Sequence, residues 1–244
     1  MISTRLLTKK YSETAAIQNL NLDVQPGAIY GFLGTNGAGK TTTIKILMGL
    51  LVPTSGSATI AGLDTRKDRL AIKRKVGYLP DTPLFPSFLK GREILEMAGE
   101  LHGLSRAEAK GRAAELLEWL GLHDAAEEYS EQYSIGMKKR LGLGCATVHD
   151  PEVYLLDEPT NGLDPYATRL VGEWIQKQSQ AGKTILLSTH RLDMAERVCS
   201  HLGIIHKGRL ITQGELATIR GRMHADDLED IFFAVTEGEA VHHA

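Results

Sequence analysis

The chain has little cysteine and no long apolar run. Its two cysteines, Cys145 and Cys199, lie far apart and form no CxxC pair. That leaves no framework for disulfides or a structural metal, and it fits a reduced, cytosolic chain. No stretch approaches the roughly 18–20 apolar residues needed to cross a bilayer. The longest, such as Val153–Leu156 and Ile185–Leu187, are the size of buried strands. Met1–Lys10 is polar and basic, without the apolar core of a secretory leader. A charge excess is missing too: 28 Lys and Arg against 30 Asp and Glu give a net −2, which argues against nucleic-acid binding driven by global charge. Internal repeats and low-complexity tracts are absent. What remains is 244 residues, 42% hydrophobic and 24% charged, an ordinary globular composition. The length suits one large domain, or one core with a small subdomain.

The first thirty residues alternate loosely (Ile17, Leu20, Leu22, Val24) as half-buried strands do, and Pro26-Gly27 makes a turn. Ala28–Leu33 is an apolar run ending in glycine, a buried strand feeding a loop. Thr41–Leu50 reads as a helix stopped by Pro53 and Gly56, and Ser57–Gly62 as another strand. Residues 82–150 differ in texture. Ser105 with Glu108 forms a capping box, and Ala109, Ala113, Leu116, Leu117 and Leu120 follow at helical spacing up to Gly121. This stretch is expected to be an inserted, mostly helical subdomain. Short apolar strands then return between helices at Val153–Leu156, Thr184–Ser188 and Leu202–Ile205. Strands alternating with helices imply a parallel sheet covered by helices. Thr236–Ala244 is small and polar, and is expected to be loose.

Gly34-Thr35-Asn36-Gly37-Ala38-Gly39-Lys40-Thr41 fits the phosphate-binding pattern GxxxxGK followed by Ser or Thr. The glycines let backbone N–H groups face phosphates with no Cβ in the way, and the next helix adds its positive end. Lys40 reaches the β- and γ-phosphates and Thr41 supplies a hydroxyl to Mg²⁺, with Thr42 beside them. The strand Val153–Leu156 ends in Asp157-Glu158. There Asp157 suits Mg²⁺, directly or through water, and Glu158 suits polarising an attacking water. Tyr133-Ser134-Ile135-Gly136-Met137 opens a second helix, where Ser and Gly at a helix N-terminus make another anion site.

In this order along the chain, the three motifs resemble the ATP-binding subunits of ABC transporters, and the likeness covers nearly the whole sequence. The family signature, usually Leu-Ser-Gly-Gly-Gln, stands here as Tyr133-Ser134-Ile135-Gly136-Met137. The resemblance implies an α/β P-loop NTPase fold of the ABC ATPase kind. That fold has a mostly parallel central sheet, an antiparallel β subdomain and an inserted helical subdomain. Residues 1–244 would form one such domain, with 1–81 and 151–244 as the nucleotide-binding core and 82–150 as the helical signature part. It also implies two subunits stacked head to tail, a second copy or a related ATPase subunit completing each site. Ser134, Gly136 and Met137 would then face the ATP held by the partner's phosphate loop. Tyr11 falls where the family has an aromatic stacked on adenine. Asn161-Gly162-Leu163-Asp164 resembles the D-loop, with Asp164 linking the two sites, and His190 falls at the switch histidine. One position departs. The family's glutamine after Val76-Gly77-Tyr78-Leu79-Pro80 is here Asp81. A carboxylate is shorter and charged, so it either binds Mg²⁺ more strongly or reaches it only through water.

The implied activity is Mg²⁺-dependent ATP hydrolysis that powers a separate membrane permease, with the chain peripheral on the cytoplasmic face. The form of the signature, the Asn-Gly D-loop and Leu228–Phe232 resemble exporter-type subunits. Phe85, Phe88 and Leu89 lie where the family receives coupling helices of the permease, and are either an exposed patch or core. A soluble ABC-type ATPase acting on nucleic acid or ribosomes is the alternative. Against it stand the single phosphate loop, the lack of heptads between that loop and the signature, the absence of a cysteine cluster and the slightly negative charge. A kinase or GTPase would leave the signature without a use, and no guanine-reading NKxD motif is present.

Overall fold

The computed structural model describes residues 1–223 and 227–241. The chain opens with strands β1 (Ile2–Tyr11), β2 (Thr14–Leu20), β3 (Asp23–Val24) and β4 (Ile29–Leu33). Helix α1 (Lys40–Leu47) follows, then β5 (Ser55–Ile60), β6 (Leu63–Asp64), α2 (Arg69–Lys75) and β7 (Val76–Leu79). Three helices come next: α3 (Gly91–Leu101), α4 (Arg106–Trp119) and, after a short 3-10 turn at Ser130–Gln132, α5 (Ile135–Thr147). The chain returns through β8 (Val153–Asp157), α6 (Pro165–Gln180), β9 (Thr184–Thr189), α7 (Leu192–Val198), β10 (His201–His206) and β11 (Arg209–Glu215), and ends in α8 (Leu216–Met223) and α9 (Leu228–Val241).

The strands form two sheets. The larger runs β11-β10-β4-β9-β8-β7, parallel throughout except for the β10–β11 hairpin. The smaller is antiparallel, β2-β1-β5-β6, with β3 also paired to β1. In β4, β8 and β9 every residue is buried, which explains their unbroken apolar runs: helices or the second sheet cover both faces. Side chains alternate across the sheet. Ile29, Leu33, Tyr154, Leu156, Ile185 and Leu187 face one core, shared with α3–α7. Tyr30, Phe32, Val153, Leu155 and Leu186 face the other, shared with α1, α2 and the antiparallel sheet.

The expected α/β architecture is found, and the three inserted helices α3–α5 fall within 82–150. Several boundaries differ. The first helix starts at Lys40 and ends at Leu47, where Gly49 at φ 67° turns the chain before Pro53 does. The strand expected at Ser57–Gly62 is Ser55–Ile60. Within 82–150, residues 82–90 are loop and turn, and helix begins at Gly91. Thr236 is not loose but part of α9, which runs to Val241; the last three residues of that expectation, 242–244, lie outside the described residues. Among the described residues no helix is long and apolar enough to cross a membrane, and Cys145 and Cys199 are free.

Candidate active site

Because β4, β9, β8 and β7 are parallel and in register (Leu33 beside Thr189, Asp157 beside Ser188, Leu79 beside Leu156), their C-terminal ends share one edge of the sheet. Each end delivers one predicted group there: the phosphate loop after β4, His190 after β9, Asp157-Glu158 at β8 and Pro80-Asp81 after β7. This edge is where open α/β sheets bind ligands.

The phosphate loop is shaped by its glycines. Gly39 has φ 113°, and a Cβ on it would lie 2.6 Å from the Ala16 carbonyl oxygen. A Cβ on Gly34 would lie 2.5 Å from the Ile205 carbonyl oxygen. Only residues without a side chain fit there. Lys40, the first residue of α1, is 6% exposed. Its ammonium donates to the Gly34 and Thr35 carbonyls at 2.7 and 3.3 Å and lies 3.4 Å from Glu158 Oε1. Thr35, Asn36, Gly37, Gly39, Lys40, Thr41, Thr42, Asp81 and Glu158 line one cleft of about 160 Å³, while Ala38 is buried against the second core.

Glu158 is the strained residue of the site. Its φ of 48° is left-handed, uncommon away from glycine. Its N–H is held by the Ser188 carbonyl (3.1 Å) and hydroxyl oxygen (3.2 Å). The nearly buried carboxylate is 3.0 Å from His190 Nδ1, and His190 itself stays half-exposed. Asp157 is 1% exposed. Its Oδ1 accepts from the Ser188 hydroxyl, while its buried Oδ2 has no protein partner among the described residues. Among those residues no group of three His, Cys, Asp or Glu could hold a metal by itself. Mg²⁺, however, is commonly held by one or two carboxylates together with substrate phosphates. The partnerless Asp157 Oδ2, with the Thr41 hydroxyl at the mouth of the loop, fits that arrangement.

Asp81 lines the cleft and is held by two further side chains. Its Oδ1 accepts from Asn161 Nδ2 at 3.2 Å and lies 3.6 Å from Lys139 Nζ. Lys139 is buried at the back of the site, and burial pulls its ammonium below the usual lysine range, against the pull of Asp81 and Asp157. Burial, with Asp157 and Asp81 nearby, pushes the Tyr78 phenol up to about 12.

The remaining predicted residues sit apart from this cleft. Tyr11 is exposed at the end of β1, with Lys9 Nζ 5.2 Å from its ring centre, and does not line the cleft. Ser134 caps α5, accepting from Met137 N–H at 3.2 Å. Gly136 stands against the Gly162 carbonyl, where a Cβ would come to 3.2 Å. Met137 packs on the first core. Asp164 caps α6, accepting from Ala167 N–H at 2.8 Å. Phe85 and Leu89 pack on the core, whereas Phe88 is exposed. Two residues escaped notice. Ser188 reads as one more small residue of a strand. The charged Lys139 in a helix gave no sign that it points inward.

The ABC transporter family model matches residues 17–161. The bacitracin transport ATP-binding protein BcrA of Enterococcus faecalis is 38% identical over 223 residues, 91% of this chain and 71% of that protein. The Nod factor export ATP-binding protein I of Cupriavidus metallidurans is 39% identical, over 88% of this chain and 71% of its own. A solved ATP binding subunit of an ABC transporter superposes with a TM-score of 0.90 at 32% identity, covering 96% of this chain and 99% of that one. The dimeric post-hydrolysis state of an ATP-binding cassette bound to ADP and Pi gives a TM-score of 0.82 at 25% identity, covering 88% and 99%. With a phosphate loop, a strand ending in two carboxylates and a capped signature helix all in place, the chain belongs to the ABC transporter family, as one of its ATP-binding subunits and an ATPase.

Proposed function

We propose that this ATPase powers export through a separate permease, that two ATP molecules are sandwiched in a head-to-tail dimer, and that Glu158 is the residue that makes hydrolysis possible. The observation that carries the reading is the carboxylate of Glu158. It is nearly buried, aimed back over the phosphate loop, and held between Lys40 at 3.4 Å and His190 at 3.0 Å. In that place it accepts a proton from an attacking water, and His190 orients that water and senses the γ-phosphate. The backbone of residues 34–39 and the Lys40 ammonium cradle the phosphates and take up charge as the phosphoryl group leaves. Tyr11 offers a ring for adenine. Thr41 and Asp157 would hold Mg²⁺, and the ion supplies charge neutralisation at the phosphate oxygens.

The dimer is supported by the placement of Ser134, Gly136 and Asp164 away from the chain's own phosphate-loop cleft, and by the dimeric form of the ADP-bound relative. Export is supported by the Nod factor export relative, and a separate permease by the solved relative that is an ATP binding subunit of an ABC transporter. The chain then works from the cytoplasmic face. The test is Glu158→Gln. ATP turnover should fall by about a thousandfold, the scale of losing a general base and its electrostatics. ATP binding should persist and light scattering should show an ATP-dependent dimer. Unchanged hydrolysis would remove Glu158 from this role.

A further inference from the structure

Lys139 belongs to the helix that opens with the signature, yet its side chain runs into the core and is 2% exposed. An ammonium has three protons. Here they meet three carbonyls: Pro80 at 3.3 Å, Asp81 at 2.6 Å and Asp157 at 3.2 Å. These carbonyls stand at the C-terminal ends of β7 and β8, where the parallel ladder stops and its acceptors need new donors. The Asp81 carboxylate, 3.6 Å from the same ammonium, is steadied on its other side by Asn161. One buried lysine therefore grips the backbone of a candidate metal ligand and faces Asp81, the carboxylate that stands where the family has glutamine. Alone, each charge is costly. A buried ammonium without a counter-charge is strongly destabilising, and a third carboxylate beside Asp157 and Glu158 is repelled by both.

We propose that Lys139 is a positioning residue of the nucleotide–metal site, and that Asp81 and Lys139 work as one neutral pair in the place of an uncharged glutamine. The proposal rests on the ATP- and Mg²⁺-binding reading above. Lys139 fixes the carbonyl of Asp157 and so the direction of its carboxylate. It also cancels the charge that Asp81 brings to the site. Because Lys139 rides on α5, a shift of the signature helix against the sheet moves Asp81 and Asp157 together.

The experiment is a binding cycle on the purified chain. A fluorescent ATP analogue is titrated with Mg²⁺ and, separately, in EDTA, for the wild type, Lys139→Met, Asp81→Gln and the double variant. Each single change should weaken Mg²⁺-dependent binding about tenfold, the scale of coupling between contacting charges. Binding in EDTA reads the phosphate loop alone and should stay within about twofold, the scale expected for an uncoupled site. The double variant, neutral again, should be less impaired than the product of the two single losses by about fivefold or more. Single losses that multiply, or a Lys139→Met loss of equal size in Mg²⁺ and EDTA, would overturn the pairing. Should Lys139→Met not fold, Lys139→Gln takes its place in the cycle and is judged by the same outcomes. A wild-type chain that binds no ATP overturns the underlying reading, a result distinct from either.

Discussion

Ser188 has one hydroxyl and two tasks: it donates to Asp157 Oδ1 and accepts from the Glu158 N–H. The first leaves Asp157 Oδ2 as the oxygen without a partner among the described residues; the second helps hold Glu158 in its left-handed conformation. Ser188→Ala removes both bonds and leaves a buried carboxylate oxygen without its donor, which costs about 1–3 kcal/mol. The expected outcome is lower thermal stability together with a rise in the Mg²⁺ concentration needed for half-maximal hydrolysis. A loss of stability with no change in that Mg²⁺ requirement would reduce Ser188 to packing. The phosphate loop was legible because its chemistry is backbone-based, and Asp157 and Glu158 because they end an apolar strand. Glycines spaced for a phosphate loop cannot be read as anything else when a strand precedes and a helix follows. Ser188 and Lys139 were hidden for a physical reason: their roles depend on which way a side chain points across the sheet or into the core. Sequence periodicity carries that only weakly for a polar residue.

Helix ends explain why residues of the signature and D-loop stand where they do. Ser105, Ser134 and Asp164 are each N-caps with a side chain bonded to a backbone N–H. The capping box at Ser105 was legible because it needs only local spacing. Local spacing also gives Ser134 and Asp164 a structural task in the free subunit, and the work proposed for them across a dimer would be a second use of the same oxygens. The ends of α3 and α5 meet in a less legible way. His102, just past α3, stacks on His149, just past α5, with ring centres 3.6 Å apart and planes 5° from parallel. Burial, and then the neighbouring His102, lower the His149 imidazole to about 4; burial lowers His102 as well. Both rings are thus neutral in the fold, while in the unfolded chain an imidazole takes its proton near pH 6.5. Stability from the pair is complete above that pH, and it is lost as pH falls from about 6.5 toward 4, because the unfolded chain binds more protons in that window. The thermal midpoint of the wild type should drop across this range more steeply than that of His149→Gln. Parallel curves for the two proteins would show that the stack carries no such linkage.

At the scale of the whole molecule, the site edge of the sheet is polar, whereas a different face carries exposed apolar side chains. A cleft of about 590 Å³ between the nucleotide-binding core and the inserted helices is lined by Met48, Leu50, Leu70, Ala98, Leu101 and Cys145, with Lys73, Arg74, Tyr78, His102 and His149 among them. Leu70 and Leu101 are among the most exposed apolar side chains of the described residues. Exposed apolar clusters of this kind mark interaction sites. The proposed permease is the occupant that the family membership supplies. A cytoplasmic helix of that permease would cover these residues and, resting on both α3 and the core, would move one against the other. The sequence left Phe85, Phe88 and Leu89 open between patch and core. The fold divides them, because the loop 82–90 turns Phe85 and Leu89 inward and leaves Phe88 out. Such a division depends on one turn and has no signature in composition. Leu101→Asp and Leu70→Asp place a charge on this face without touching the phosphate loop. Recovery of a multi-span membrane protein with the tagged chain from detergent-solubilised membranes should fall by about tenfold or more, as expected for residues central to an interface. ATP hydrolysis by the isolated subunit should be retained. Equal recovery by both variants and the wild type would place the permease contact elsewhere on the molecule, and loss of hydrolysis by the isolated subunit would show that the face belongs to the ATPase core instead.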